Sequence, residues 1–270
     1  MKHLFILCSP RSGSTMFYTY LSRCKNISTM GQDEGDKYLM LHGFPNTMTK
    51  GLPTRKPEFF NDEKNYNFDK VKEIYNDAWD KKDDDRVYLE KSTCNSFRYE
   101  LLDKHFENSF FIVLNRHPHA IIEGWLRHFP GTDNPRDLKL RHFTADWILY
   151  SKSMIEAKKH LENRCIIIRY EDLCDNTETT KNKIIEFLPE LNDINFEEPT
   201  TCSTYRDLKG RNNKPLENEN RYKIESLSKD DIKEINTTFD TLNNVYQTPE
   251  TERLTPTIAL EILKYFNYEI

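Results

Sequence analysis

Two periods alternate along the chain. Short apolar runs at residues 4–7, 87–89, 110–114 and 165–168 contain no charged position, the pattern of strands covered on both faces. Residues 27–30 could add a further short strand. Between the runs, apolar residues recur at helical spacing. Phe17, Tyr20 and Leu21 share one side of residues 16–24; Phe68, Val71, Ile74, Tyr75 and Trp79 mark another helix; residues 97–106 and a segment opening at Pro118 follow. Residues 138–161 read as a long amphipathic helix through Phe143, Trp147, Ile148 and Met154, residues 177–188 as a helix stopped near Pro189, and residues 227–246 and 255–266 as two closing helices. Residues 36–65, with Pro45, Pro53 and Pro57, read as a loop insertion, and residues 192–225 as polar, irregular and basic in places. Strands alternating with helices predict a single α/β domain over residues 1–270, a P-loop-like parallel β-sheet flanked by helices on both faces.

Ligands of such sheets bind at the carboxyl ends of the strands. Just past four strand ends stand residues 11–15, Lys91, Arg116 and Tyr170, so three of the four bring a positive charge to one edge. The first of these, Arg11-Ser12-Gly13-Ser14-Thr15, is a small polar turn that opens a helix. Its backbone N–H groups and the helix dipole suit a phosphate or sulfate, although small polar turns of this kind are also common where nothing binds. The formal net charge of −5 makes this a local basic patch in an acidic chain and gives no global case for nucleic acid.

Cys8, Cys24, Cys94, Cys165, Cys174 and Cys202 are scattered without metal-ligand spacing, which fits reduced thiols in a cytoplasmic protein and no zinc site. The first apolar run is too short for a signal peptide, and no run approaches the roughly 20 residues that span a bilayer, so no membrane association is expected. A P-loop kinase fits poorly: Gly13 is the turn's one glycine, no Lys precedes Ser14, and the run at 110–114 ends in Asn115-Arg116, where a magnesium-binding Asp would be needed.

Taken in order, PRSGST (10–15), EKST (90–93), FFIVLNRHPHAIIEGW (110–125), IIIRYEDL (166–173) and ILKYFNYE (262–269) resemble the sulfotransferases that use 3′-phosphoadenosine 5′-phosphosulfate (PAPS) and release adenosine 3′,5′-bisphosphate (PAP). The Arg-His-Pro and Tyr-Glu-Asp-Leu forms are most similar to bacterial and natural-product members, including those acting on cyanobacterial metabolites. The resemblance implies that Arg11, Ser12, Gly13, Ser14 and Thr15 wrap the 5′-phosphosulfate, that Arg116 holds the 3′-phosphate, and that Lys91 neutralises charge on the leaving phosphate. Tyr170 is a candidate to pack on the adenine, or a core Tyr with a locally satisfied hydroxyl. Lys209-Gly210-Arg211, within a cofactor-closing loop at about 200–222, resembles the segment that closes over the 3′-phosphate. The family's Ser after the 3′-phosphate arginine falls on Gly124, which removes one hydroxyl contact worth roughly 1.5–3 kcal/mol.

A hydroxyl acceptor needs a base, and Asp33 and Glu34 fall where the family carries one; placement is ambiguous by one residue, with family spacing favouring Asp33 slightly and Glu34 reaching further, and His42 and His128 are fallback candidates. The expected activity is metal-free, in-line transfer of a sulfuryl group to a hydroxyl or amine of a small molecule. A nucleotide-binding pseudoenzyme is the alternative from another class, and a protein-tyrosine sulfotransferase fits less well because no secretory signal is seen. Asp33, Glu34 and Asp36 suit a cationic acceptor, of which an alkaloid such as saxitoxin is one example. A monomer or weak homodimer is expected.

Overall fold

β1 (Lys2–Cys8) is the middle strand of a five-stranded parallel sheet. The order is β2-β3-β1-β4-β5, with β2 at Ile27–Ser28, β3 at Val87–Lys91, β4 at Ser109–Asn115 and β5 at Cys165–Arg169. The structure, a computed structural model, describes residues 1–30, 34–44, 62–63, 67–80, 86–128, 134–199, 215–242 and 254–270. Register keeps the carboxyl ends level: Lys91 lies opposite Ile6, Leu114 opposite Cys8, and Asn115 opposite Arg169. The residues that leave these strands therefore meet at one edge, as the strand-end rule requires.

Burial explains the uniformly apolar runs. Along β1, Phe5 and Leu7 enter one apolar cluster while Leu4, Ile6 and Cys8 enter another; β4 divides the same way, Phe111 and Val113 against Ile112 and Leu114. Both faces of the sheet are thus covered, and period-2 alternation has no polar face to report. The second cluster is closed by α1 (Ser14–Ser22) and by Ile184 of α8 (Thr177–Phe187). The first is closed by α3 (Phe68–Ala78), α4 (Asn95–His105), α5 (Pro118–His128), α6 (Arg136–Leu161), α10 (Lys229–Thr241) and α11 (Pro256–Tyr265). Among the described residues, no helix is long and apolar enough to cross a membrane, and the five described cysteines are free thiols; Cys202 lies outside those residues.

Two stretches read as irregular contain helices. The expected insertion at 36–65 begins inside α2 (Gly35–Leu41), and the polar stretch 192–225 ends in α9 (Asn220–Glu225); residues 45–61 and 64–66 lie outside the described set. Tertiary bonds that periodicity cannot report hold α2. The Glu90 carboxylate, at the end of β3, accepts the Gly35 N–H at 3.0 Å, and the Asp36 N–H donates to Ser92 Oγ at 3.0 Å. Asp36 itself pairs with Arg98 of α4 at 2.8 Å, and Arg98 also donates to Asn95 Oδ1 and to the Tyr75 hydroxyl. This buried polar network joins α2, α3, β3 and α4. A short helix, α7 (Tyr170–Asp175), leaves β5 directly.

Two histidines are buried in this frame. His3 sits among Trp79, Tyr88 and Phe106, with ring centroids 5.0–5.6 Å away, and burial lowers its pKa to about 4. His119, bonded through Nε2 to Asn236, is likewise lowered to about 4 by burial. Between pH 6.5 and 4 the unfolded chain binds more protons than the native one at these positions, so stability falls as pH drops through that window. We expect urea denaturation to give a stability at pH 5 lower than at pH 6.5 by about 3 kcal/mol for the two groups together. Equal stability at the two pH values would contradict this reading.

Candidate active site

The turn after β1 sets the site. Arg11 has φ 68° and Gly13 has φ 92°, two left-handed residues within three positions. The left-handed region is the ordinary place for glycine, but it costs Arg11 roughly 1–2 kcal/mol. The turn is pinned from within, since Ser12 is fully buried and donates from Oγ to the Ser9 carbonyl at 2.8 Å. Helix α1 then starts with its first intrahelical bond from Phe17 N–H to the Gly13 carbonyl, and no side chain caps it. The first turn holds no acidic residue, so its N–H groups and positive dipole end are unneutralised locally.

Lys91, at the end of β3, is 1% exposed. Its Nζ donates to Glu34 Oε1 at 2.8 Å and lies 3.4 Å from Thr15 Oγ1. A single ammonium therefore bridges the turn of α1 and the residue that precedes α2. Glu34 is 8% exposed, and its other oxygen, Oε2, is buried without a hydrogen-bond partner among the described residues. The network around Glu90 fixes this pair from behind, because it anchors both the neighbour of Lys91 and the Gly35 N–H that follows Glu34.

Arg116, just past β4, is 3% exposed. Its guanidinium lies 3.7 Å over the Tyr170 ring, its Nε donates to Asn220 Oδ1 at 2.6 Å, and its Nη2 is buried without a partner among the described residues. Asn220 is oriented by Glu171, which also accepts the His117 N–H at 2.9 Å and the Tyr268 hydroxyl at 3.0 Å. Tyr170 donates to the Glu217 carbonyl at 2.9 Å, and burial raises its pKa. A Cβ on Gly13 would come within 2.8 Å of the Tyr170 ring. Tyr170 thus carries Arg116 on one face and Gly13 against its edge. Its hydroxyl is satisfied locally, as the plainer reading of the sequence allowed.

Gly124 of α5 has a specific neighbour. Arg11 Nε donates to its carbonyl at 3.3 Å, and a Cβ there would stand 3.0 Å from Arg11 Cβ and 3.3 Å from Lys223 Nζ. The glycine lets Arg11 and α9 approach α5 closely. Lys223 was not legible as a site residue within a stretch read as irregular. Its spacing from Asn220, i to i+3, is the signal that places both on one face of a helix.

Of the expected site residues, the structure thus gathers Arg11, Ser12, Gly13, Ser14, Thr15, Glu34, Lys91, Arg116, Gly124 and Tyr170 at one sheet edge. Asp33 and Lys209-Gly210-Arg211 lie outside the described residues. His42 and His128 are exposed. Asp36 is buried against Arg98, so its carboxylate is not free to face a cationic acceptor.

A strand–turn–helix at the carboxyl end of the middle strand of a parallel sheet, with cations at the neighbouring strand ends, is the P-loop-like arrangement. The family model described as the sulfotransferase family matches residues 3–193, and the chain belongs to that family. The sulfotransferase domain from the Synechococcus PCC 7002 olefin synthase is similar, with 18% identity, TM-score 0.56, and 100% of this chain and 96% of that chain covered. The sulfotransferase domain from the curacin biosynthetic pathway has 19% identity and TM-score 0.52, covering 100% and 98%. Mouse sulfotransferase SULT7A1, solved complexed with PAP, has 12% identity and TM-score 0.50, covering 98% and 89%. These likenesses show the fold. No curated protein matches the chain.

Gly13→Ala tests the cradle. A Cβ at φ 92° and 2.8 Å from Tyr170 forces both the turn and the ring under Arg116 to move. Urea denaturation is expected to show a loss of roughly 1–3 kcal/mol. A variant as stable as the parent would contradict the packing described.

Proposed function

We propose that the chain transfers a sulfuryl group from 3′-phosphoadenosine 5′-phosphosulfate to a hydroxyl or amine of a small molecule. The observation that carries this reading is the placement of Lys91 between Thr15 and Glu34, with a separate buried cation, Arg116, across the same edge. The residues present fit the nucleotide. Arg116 Nη2 is a buried donor without a partner among the described residues, and the N-terminus of α1 is uncapped and without acidic residues. Buried donors in native proteins are ordinarily paired, so such groups point to a ligand. PAP, the ligand in the SULT7A1 structure, carries two phosphates, and this edge carries two separate buried cations, Lys91 and Arg116, in support of that reading.

In this reading the N–H groups of α1 with Ser12, Ser14 and Thr15 hold the 5′-phosphosulfate, and Arg116 holds the 3′-phosphate. When bound, the donor supplies an activated sulfuryl group on a phosphate leaving group. Glu34 Oε2 takes the proton from the acceptor as its oxygen or nitrogen bonds to sulfur and the sulfur–oxygen bond to phosphate breaks. Lys91 places its charge beside the 5′-phosphate as negative charge grows there, a stabilisation of the transition state by a fixed cation. The tie between Lys91 and Glu34 Oε1 orients the carboxylate, which leaves Oε2 as the accepting atom. Of the two carboxylates that counting could not separate, Glu34 is the one we assign as base; Asp33 stays a candidate outside the described residues. With Asp36 and Glu34 paired internally, the acidic turn gives less support to a cationic acceptor than its composition suggested.

Sulfur-35 transfer from labelled donor to a panel of small hydroxyl and amine acceptors tests the reading. Glu34→Gln is expected to lower kcat by roughly 10²–10⁴-fold while nucleotide affinity stays within about threefold, because a general base acts on the acceptor and not on the donor. Arg116→Ala is expected to weaken bisphosphate binding by roughly 10–150-fold, the loss of charge-assisted hydrogen bonds. A wild-type protein that binds the bisphosphate but transfers no label to any acceptor, or an unimpaired Glu34→Gln enzyme, would overturn the assignment.

A further inference from the structure

We propose that Glu90 is a positioning residue for the base: with Ser92 it caps α2 in place of Glu34, and so leaves the Glu34 carboxylate free to face an acceptor. The role of Glu34 as base is the one assigned under the function proposed above, and this inference rests on it. The geometry stands by itself. Glu34 occupies the N-cap position of α2, yet its side chain makes no capping bond. An N-cap side chain ordinarily accepts the N–H of the second or third helical residue. That of Glu34 is bonded to Lys91 instead. The first two N–H donors of the helix go to the end of β3: Gly35 N–H to Glu90 Oε1 and Asp36 N–H to Ser92 Oγ, both at 3.0 Å.

Gly35 makes this possible. A Cβ there would stand 2.6 Å from Glu90 Oε1 and 2.8 Å from the Tyr75 hydroxyl, so the backbone comes this close only without a side chain. Hydrogen-bond direction then singles out Glu90 within the network. Ser92 Oγ accepts from Asp36 N–H and donates to Glu90 Oε1, while Asn95 accepts from Arg98 and donates to Glu90 Oε2. Both chains run toward Glu90, and each of these partners is a donor, which suits an ionised carboxylate. Burial opposes this by raising the Glu90 pKa, and Arg98 with the bonds from Ser92 and Asn95 pulls it back. An amide at this position would set its NH2 against the Asn95 NH2 or give up the Gly35 N–H. Either change weakens the cap of α2, and the Glu34 side chain, already at the N-cap position, is drawn away from Lys91 to replace it.

Sulfur-35 transfer by Glu90→Gln, Glu34→Gln and the double variant forms a cycle that tests this, with folding checked by circular dichroism. Glu90→Gln is expected to lower kcat by roughly 10–100-fold, the loss of a buried hydrogen bond to a charged group, while the donor KM and the affinity for adenosine 3′,5′-bisphosphate stay within about threefold. In the Glu34→Gln background the same change is expected to lower kcat by less than about threefold, because a residue that acts through the base has nothing left to position. A merely structural role gives the same fold-loss in both backgrounds. That result overturns the proposal, as does an unimpaired Glu90→Gln enzyme. If Glu90→Gln does not fold, Ser92→Ala takes its place in the cycle, since it removes the cap on the Asp36 N–H and keeps the buried charge. It is expected to lower kcat by roughly 3–30-fold in the parent and by less than about twofold in Glu34→Gln, and equal losses overturn the proposal. If Glu34→Gln itself is unimpaired, the function proposed above fails. If it is impaired and the cycle is additive, only the positioning role of Glu90 fails.

Discussion

A guanidinium held almost dry by neutral partners is the constraint that organises this site. Arg116 lies on the Tyr170 ring and against the Asn220 amide, and among the described residues it makes no ion pair. Desolvating a cation costs several kcal/mol unless charge or dipoles replace the lost water. Tyr170 and Asn220 replace part of it by a cation–π contact and one hydrogen bond. The neighbouring carboxylate, Glu171, is engaged by Asn220, His117 and Tyr268 and so acts on Arg116 through the amide. The arrangement keeps Arg116 fixed without neutralising it, which is what a preorganised anion site requires.

The sheet order turns this local feature into a site with two ends. Because β3 and β4 flank β1 in parallel, Lys91 and Arg116 emerge on either side of the turn that opens α1. The buried network of Glu90, Ser92, Asn95, Arg98 and Asp36 then fixes where α2 starts, and with it Glu34. Removing one partner from such a network leaves an uncompensated buried group, so it specifies position strongly even where its net contribution to stability is small. The proposed base is held by a network that it does not itself belong to, joined to the donor side by a single lysine.

Much of this was legible in the chain. Runs such as 110–114 announce strands buried on both faces, and the strand-end rule alone brings residues 11–15, Lys91 and Arg116 to one edge. What was not legible depends on contacts between segments distant in sequence. Residues 36–41 read as loop because α2 is held by Glu90 and Ser92, more than fifty positions away, and not by a long apolar stripe. Asn220 and Lys223 were hidden in a polar stretch whose one helical turn is too short to show a period. Tyr170 was weighed both as an adenine platform and as a core Tyr with a locally satisfied hydroxyl; that Arg116 lies on one face, Gly13 at its edge and the Glu217 carbonyl on its hydroxyl could not be read from the chain. Gly124 looked like a loss when read as a missing hydroxyl; in three dimensions it is what allows Arg11 and Lys223 to come close to α5.

The central claim is that fixed cations from separate segments grip a doubly phosphorylated nucleoside at this edge. A crystal structure of the protein with adenosine 3′,5′-bisphosphate measures it most directly. The account predicts one phosphate on the N–H groups that open α1, near Lys91, and the other within hydrogen-bond distance of Arg116 Nη2. A nucleotide bound elsewhere, with Arg116 Nη2 still unpaired, would contradict it.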